Sequence, residues 1–353
     1  LSTRKIIQGF SIITALFITG CIKQATLNYR KPTPSLVVEG LLLTDSTPCK
    51  VTLSYSGLFN SAGAQQQNFI NDAVVFVKDD TGDSVQLQLQ GSGVYVSTGN
   101  YAGQVGHSYS LSITLSNGKR YASIPEKIQP VQKALAMDSV TNSTPPGLPG
   151  LYGGLIHITT QDPADEKNYY RWISIDYVSR VTISSCGFNQ PPCYYYCFQP
   201  YNDPEIYVLS DDLINGGKIT YQPALLTPYY YYGKHYINIK QLSLTKQAYE
   251  FWRLYQEQTT RTGSILDPLP APIQGNIYST TDSTELALGY FEASDVGSFK
   301  FVFAPVFIDT YLTFVNTYLY ISYDGICQDV YPNAIKDPPP GWENAPQYIV
   351  KVY

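Results

Sequence analysis

Between Leu36 and Ile124 the chain reads as one short strand after another, each cut off by a turn. The runs Leu36–Thr44 (LVVEGLLLT), Cys49–Ser56 (CKVTLSYS) and Ala73–Asp80 (AVVFVKDD) consist largely of aliphatic, β-branched and aromatic residues. Val51, Leu53 and Tyr55 share one face of the second run, and Val85, Leu87 and Leu89 share one face of SVQLQLQ. Side chains on a strand alternate between faces, so a two-residue period lays one apolar face on a core. Asp80-Thr81-Gly82-Asp83 and Gly91-Ser92-Gly93 supply turns. Asn117-Gly118, set between YSLSITL and KRYASI, is a strong two-residue hairpin signal. Six or seven such strands in about 95 residues predict an immunoglobulin- or fibronectin-like β-sandwich over residues 36–128.

Residues 129–150 read as a linker, punctuated by Pro130, Pro145, Pro146 and Pro149, with Gly147 and Gly150 near its end. A larger β-rich domain is expected over 151–353. It opens with LIHITTQDP and NYYRWISIDYVSRVTI. In the latter, Tyr169, Arg171, Ile173, Ile175 and Tyr177 form the more apolar face and the expected core side. The opposite face is expected to be covered near Tyr170 and Trp172 and open to water beyond. Residues 184–233 read as long loops around one or two short strands, because six prolines interrupt them. One helix stands out. Ser243 or Thr245 can cap Lys246–Gln258, where Ala248, Phe251, Trp252 and Tyr255 recur at helical spacing, and Gly263 can end it. That amphipathic stripe reads as a packing face. The last core strands are expected within Asp309–Ser322, and Asp337-Pro338-Pro339-Pro340-Gly341-Trp342 as irregular chain. The composition agrees with an all-β class: 32 Tyr, 26 Gly and 24 Pro in 353 residues, with only 14% charged.

The N-terminus carries a different signal. Arg4 and Lys5 precede a short apolar run, Phe10–Ile18, and Ile18-Thr19-Gly20-Cys21 follows. The run is too short and wrongly flanked to span a bilayer. Residues 1–20 are therefore read as a lipoprotein signal peptide, Cys21 as the lipid attachment point and 21–35 as an extended tether. Acyl chains there would hold the chain at a membrane surface, each buried CH₂ contributing roughly 0.8 kcal/mol. Removing Arg4 and Lys5 leaves 21 basic against 28 acidic residues, a net of −7. No basic stripe exists, so nucleic acid is not an expected partner.

An exported chain favours oxidised cysteines. Cys186, Cys193 and Cys197 cluster in one stretch, and Cys327 lies far downstream. One bond is expected inside the cluster, with a second to Cys327 as a further option, and Cys49 free. A zinc reading of the cluster needs a fourth ligand, and no histidine lies nearby. His107, His157 and His235 are isolated and read as structural. Asp162, Asp165 and Glu166 read as a turn with capping acids, and Asp211-Asp212 as a solvated turn. No nucleophile elbow, zinc-protease helix or phosphate loop occurs. No catalytic residue, cofactor or metal is expected.

The tyrosine runs Tyr194-Tyr195-Tyr196 and Tyr229-Tyr230-Tyr231-Tyr232 are the suggestive surface feature. Alternation forces half of each run away from the core. Tyrosine offers large amphipathic contact area at small entropic cost, which suits an interface. The other reading packs these loops onto the sheet, and stacking on a glycan is a third.

Taken in order, LVVEGLLLTDSTPCKVTLSYS, INDAVVFVKDDTG, GSGVYVST, GHSYSLSITLSNGKRYAS, QDPADEKNYYRW, FWRLYQEQTTRTGSILDPLPAPIQGNI and LALGYFEAS resemble a family of Bacteroidota lipoproteins of unknown function, domain of unknown function 4249. The segment Phe251–Ile277 is the most specific part of that resemblance. The resemblance implies a non-catalytic outer-membrane lipoprotein that accompanies a TonB-dependent receptor of the SusC-like kind, in substrate capture, as a lid or in assembly. A stand-alone glycan- or peptide-binding lipoprotein is the alternative. Ile22-Lys23-Gln24-Ala25-Thr26 carries no acid after Cys21, which leaves cell-surface and periplasmic faces both open.

Overall fold

In the computed structural model, the described residues are 34–57, 68–133, 135–144, 153–164, 166–184, 193–228, 233–260, 272–307, 325–331 and 333–352. The first strands are β1 (Leu36–Leu43), β2 (Lys50–Tyr55), β3 (Asn68–Phe69), β4 (Val74–Asp79), β5 (Ser84–Gly91), β6 (Val94–Val96), β7 (Ser108–Thr114), β8 (Arg120–Ser123) and β9 (Glu126–Lys127). They are followed by β10 (Leu135–Ser143), β11 (Gly153–Gln161), β12 (Tyr169–Ser184), β13 (Cys193–Tyr201), β14 (Tyr207–Ser210), β15 (Lys218–Pro228) and β16 (His235–Ser243). Helix α1 (Lys246–Thr259), β17 (Ile277–Ser279), β18 (Ala287–Ser294), β19 (Val296–Phe307), a single turn α2 (Cys327–Val330) and β20 (Gln347–Val352) complete the order.

The predicted N-terminal strands form, although Leu89, read on the core face with Leu87, is exposed, and they join one eleven-stranded sheet, in the order β17-β8-β7-β4-β5-β6-β2-β1-β18, with β3 beside β2 and β9 beside β7. The sheet folds over into a nearly closed sandwich. Val38, Leu42, Val51, Leu53, Val75, Val77, Leu111 and Ile113 point into it and are inaccessible to water or nearly so. Each fully buried aliphatic side chain contributes roughly 1.5–3 kcal/mol of transfer free energy.

Two of its strands come from far downstream. β18 pairs parallel with β1, and β17 pairs antiparallel with β8. The edges meet where Asn276 bonds both backbone groups of Phe291: its Nδ2 donates to the carbonyl (2.8 Å), and its Oδ1 accepts from the N–H (2.9 Å). Gly289 allows the close pairing of β18 with β1. It sits at φ +92°, and a Cβ there would lie 2.0 Å from the Val38 carbonyl oxygen. The sandwich therefore does not end at residue 128, as the sequence boundary has it. Nor is 129–150 simply a linker, because its centre is β10, paired antiparallel with β11.

The second core lies between a three-stranded sheet, β10-β11-β15, and a six-stranded sheet, β13-β12-β16-β19-β20 with β14 beside β12. Ile156, Ile158, Trp172, Leu225, Ile237, Ile239, Phe301 and Phe303 fill it. Three expectations change here. The inward face of β12 is Tyr170, Trp172, Asp176, Val178 and Thr182, and Ile175 is exposed. Hydropathy chose the opposite face because it weighs Asp176 as polar, whereas this carboxylate is fully buried with partners. Residues 184–233 hold three strands rather than one or two. Pro200 in β13 and Pro223 and Pro228 in β15 are tolerated because both strands are edges of their sheets, where a missing N–H breaks no ladder bond. Asp211 is not solvated: it is buried and accepts from the Asn168 N–H (2.8 Å). The expected strands in 309–322 and the helix stop at Gly263 lie outside the described residues.

A single residue, Asp295, carries the chain from β18 in the first sheet to β19 in the second core. Its carboxylate accepts from the Thr44 hydroxyl, the Val131 N–H (2.9 Å) and Lys133 Nζ. Nearby, Lys240 Nζ on β16 donates to Asp45 (2.8 Å) and Thr47 (2.6 Å) in the β1–β2 turn. Leu43, Leu242 and Val296 bury one another beside these polar links.

Candidate functional site

Helix α1 forms for the reasons its sequence gives. Thr245 caps it, its hydroxyl accepting from the Ala248 N–H (3.1 Å) and donating to Glu126 (2.7 Å). Ala248 and Phe251 are buried against Tyr169, Leu244 and Tyr290, so the stripe does pack. Beyond Phe251 the stripe leaves the core, and there a cleft of about 550 Å³ opens between the helix and the outer face of the first sheet. Val37 and Leu41 of β1, Thr52 of β2 and Leu288 of β18 floor it, and Trp252 and Tyr255 line its helical side. The volume falls within the usual range of small-molecule sites, roughly 300–1,000 Å³.

Arg171 closes one end. Its guanidinium stacks on the Trp252 ring, 4.1 Å from the centroid, and one terminal nitrogen bonds Glu292 at 2.9 Å. Trp252 Nε1 donates to the same Glu292 oxygen (2.7 Å), and Ser294 donates to the other (3.0 Å). Arg171 Nε is buried and has no hydrogen-bond partner. Glu39 and Lys50 also line the cleft from exposed positions. The site thus pairs an apolar, aromatic wall with one charge-neutralised guanidinium that keeps a free N–H. Such an arrangement offers a ligand apolar contact together with a hydrogen-bond donor.

Arg171 also borders a smaller pocket of about 230 Å³ with Asp203, Glu205 and Tyr207. Burial raises the carboxyl pKa of both acids, and the Asp203 charge adds to the rise at Glu205. Asp203 Oδ1 accepts from the Glu205 N–H (3.0 Å), and Oδ2 accepts from the Tyr207 hydroxyl (2.8 Å) and the Leu226 N–H. Both oxygens are spent on holding this loop.

A third cluster lies in the second core. Asp176 Oδ2 accepts from the Thr227 hydroxyl at 2.6 Å and lies 2.8 Å from His235 Nδ1. All three residues are fully buried. The hydroxyl and the carboxylate reach the same imidazole nitrogen, Thr227 at 3.2 Å, whereas a proton relay needs them on opposite nitrogens. The arrangement fastens β12, β15 and β16 together. His157 stacks on Tyr221 at 3.9 Å, burial lowers its pKa, and His107 Nδ1 contacts Asp80 at 2.9 Å in an exposed turn. Asp162 is buried and accepts from the Tyr170 hydroxyl and the Gly216 N–H. Among the described residues no group of three or more His, Cys, Asp or Glu side chains could hold a metal ion. No helix among them is long and apolar enough to cross a membrane.

The bond from the cluster to Cys327 and the free Cys49 are as expected. Cys197 bonds Cys327, Cys193 is also disulfide-bonded, and Cys186 lies outside the described residues. Cys49 is free and buried, and burial pushes its thiol up to about 12. Of the tyrosines, Tyr194 and Tyr196 stand out from β13 at 56% and 64% exposure, opposite Ile183 and Val181 of β12. Tyr195 is half-buried on the other face, beside Cys193 and Cys197 in the alternation. Tyr229, Tyr230, Tyr231 and Tyr232 lie outside the described residues, as does Cys21. The disulfide, the Thr182 hydroxyl donating to the Gly325 carbonyl (2.9 Å) and Arg180 stacked on Tyr331 (4.9 Å) clamp the segment around α2 onto β12 and β13.

The sequence reading preferred a packing face to a binding site for the α1 stripe, which holds at Ala248 and Phe251, and it did not anticipate the cleft beyond them. The available signal was that Tyr255 extends the stripe one turn past what a single sheet can cover.

No curated protein matches the chain. A family model does match it, over residues 23–300, a span that takes in the first sandwich, the cleft and most of the second core. The chain belongs to the family described as domain of unknown function 4249.

Proposed function

We propose that this protein is a non-catalytic lipoprotein, held at the outer membrane by acyl chains on Cys21, that works as the partner of a TonB-dependent receptor of the SusC-like kind. Its role there is substrate capture, a lid or assembly. One observation carries the reading. Tyr194 and Tyr196 project side by side from an edge strand whose neighbour in sequence, Cys197, is tied to Cys327. Tyrosine is enriched in interface cores, and a backbone already held by a disulfide loses little freedom on docking.

The test is recovery of a membrane complex in mild detergent. Truncating a buried aromatic anchor costs about 2 kcal/mol or more, so Tyr194→Ser/Tyr196→Ser should lower receptor recovery at least about tenfold while the circular dichroism stays unchanged. Equal recovery by the folded double variant contradicts the docking surface. The alternative of a stand-alone glycan- or peptide-binding lipoprotein is supported, for an apolar peptide rather than a glycan, by the cleft under α1, which joins aromatic side chains to an arginine.

A further inference from the structure

We propose that the cleft between α1 and the first sheet binds a small, uncharged, largely apolar molecule that presents one hydrogen-bond-accepting oxygen to Arg171. The ligand is of the aryl or alkyl ketone, amide or ester class. The inference stands apart from the receptor reading, because the cleft shares no residue with the β13 face.

Three features select this class. The body must be apolar, since Val37, Leu41, Ile273, Leu288, Trp252 and Tyr255 would strand the hydroxyls of a sugar without partners. The head must accept, because a guanidinium offers only donors, and the Nε of Arg171, a residue lining the cleft, is a buried donor without a partner. The head need not be anionic, because Glu292 already neutralises the guanidinium at 2.9 Å and would repel a second carboxylate. At the mouth, exposed Glu39 and Lys50 offset each other on neighbouring strands, and solvent screens both. The Trp252 ring is held in place by the guanidinium on its face and Glu292 at its Nε1, so the aromatic wall is set before a ligand arrives.

Benzophenone is a suitable probe, being neutral, apolar, built around one carbonyl and photoreactive. The full-length protein in mild detergent would be irradiated with it and mapped by peptide mass spectrometry. The labels should fall on peptides containing Trp252–Tyr255 and Leu288. Acetanilide, neutral with an amide oxygen, should protect these peptides about fivefold or more, while benzoate and cellobiose should not. Arg171→Lys keeps a cation opposite Glu292 but removes the Nε–H, so acetanilide protection should fall while naphthalene, which has no oxygen, competes as before. Leu288→Arg, at a half-buried floor position, should abolish the labelling. Tyr194→Ser/Tyr196→Ser should leave labelling intact, which separates this site from the receptor surface. The proposal is overturned if benzoate protects better than acetanilide, if cellobiose protects, or if label spreads equally to exposed Leu213 and Ile349 outside the cleft.

Discussion

In the N-terminal sandwich the interior is apolar, a dry core, and the polar side chains buried at its margins bond backbone groups, as Ser97 does with the Cys49 N–H (2.9 Å) and Ser123 with the Leu111 N–H (2.8 Å), or one another, as Glu126 does with Tyr290 and Asn276. In the C-terminal core Asp176, Thr227 and His235 sit among the aromatic rings, and Trp172 Nε1 donates to buried Gln241 at 3.0 Å. The first core is held by area removed from water. The second adds directional bonds that are costly to break singly, and a disulfide at its edge. The contrast bears on the proposed function. The dry sandwich offers a rigid floor, and the polar, cross-linked half supplies Arg171, α1 and the outward tyrosines.

The largest expected effect separates the two halves by their cysteines. Cys197→Ser/Cys327→Ser opens a loop spanning 130 residues and should lower stability by about 3 kcal/mol, read as a shift in the denaturant midpoint. Cys49→Ala, in the first core, should cost about 1 kcal/mol. Equal losses would erase the distinction.

A second pair probes the interiors themselves. Leu53→Ala should cost about 3 kcal/mol through a cavity, and Asp176→Ala should cost about as much through the donors it strands. Only the second loss should be recoverable from a neighbour. Asp176→Ala/His235→Leu should regain about 1 kcal/mol over Asp176→Ala alone. A double variant no more stable than the single one would show that the buried polar group is not acting as a network.

The smallest effect is a matter of pH. Burial raises the Glu126 carboxyl above 4.5 despite donors from Tyr290, Thr245 and Asn276. The folded state then binds its proton more tightly than the unfolded chain, and stability falls as pH climbs from 4.5 through the raised value. Burial also raises Asp295, but the hydrogen bonds from Lys133, Thr44 and Val131 outweigh it and hold the carboxyl below 3.8. That contribution is present above 3.8 and lost as pH falls through the lowered value. In melting curves, Glu126→Gln should gain on the wild type as pH rises across its window. Asp295→Asn should lose less against the wild type as the pH becomes strongly acidic. Parallel curves for both variants would refute the assigned signs.

What the sequence made legible follows the same divide. Strands β1, β2, β4, β5, β7 and β8 could be read because a dry core needs only alternation and turns, and Asn117-Gly118 marked its hairpin. The β12 face was misread because burial of Asp176 depends on Thr227 and His235, which are remote in sequence. Recruitment of β17 and β18 into the first sheet was invisible for a related reason, since parallel pairing with β1 leaves no local signal. Of the candidate site, the helix and its cap were legible. The cleft was not, because it exists only where α1, β1, β18 and Arg171 converge.

The central claim is that the β13 face, and not the dry sandwich, meets a membrane receptor. Site-specific photocrosslinking in native membranes tests it directly. A benzoylphenylalanine would replace Tyr196 in one strain and Leu89 in another, Leu89 being an exposed side chain (43%) of the first sandwich. An adduct with a TonB-dependent receptor from position 196 and none from 89 is the predicted result. The same adduct from both positions, or from 89 alone, would contradict it, as would no adduct from 196 in protein shown to be folded and membrane-bound.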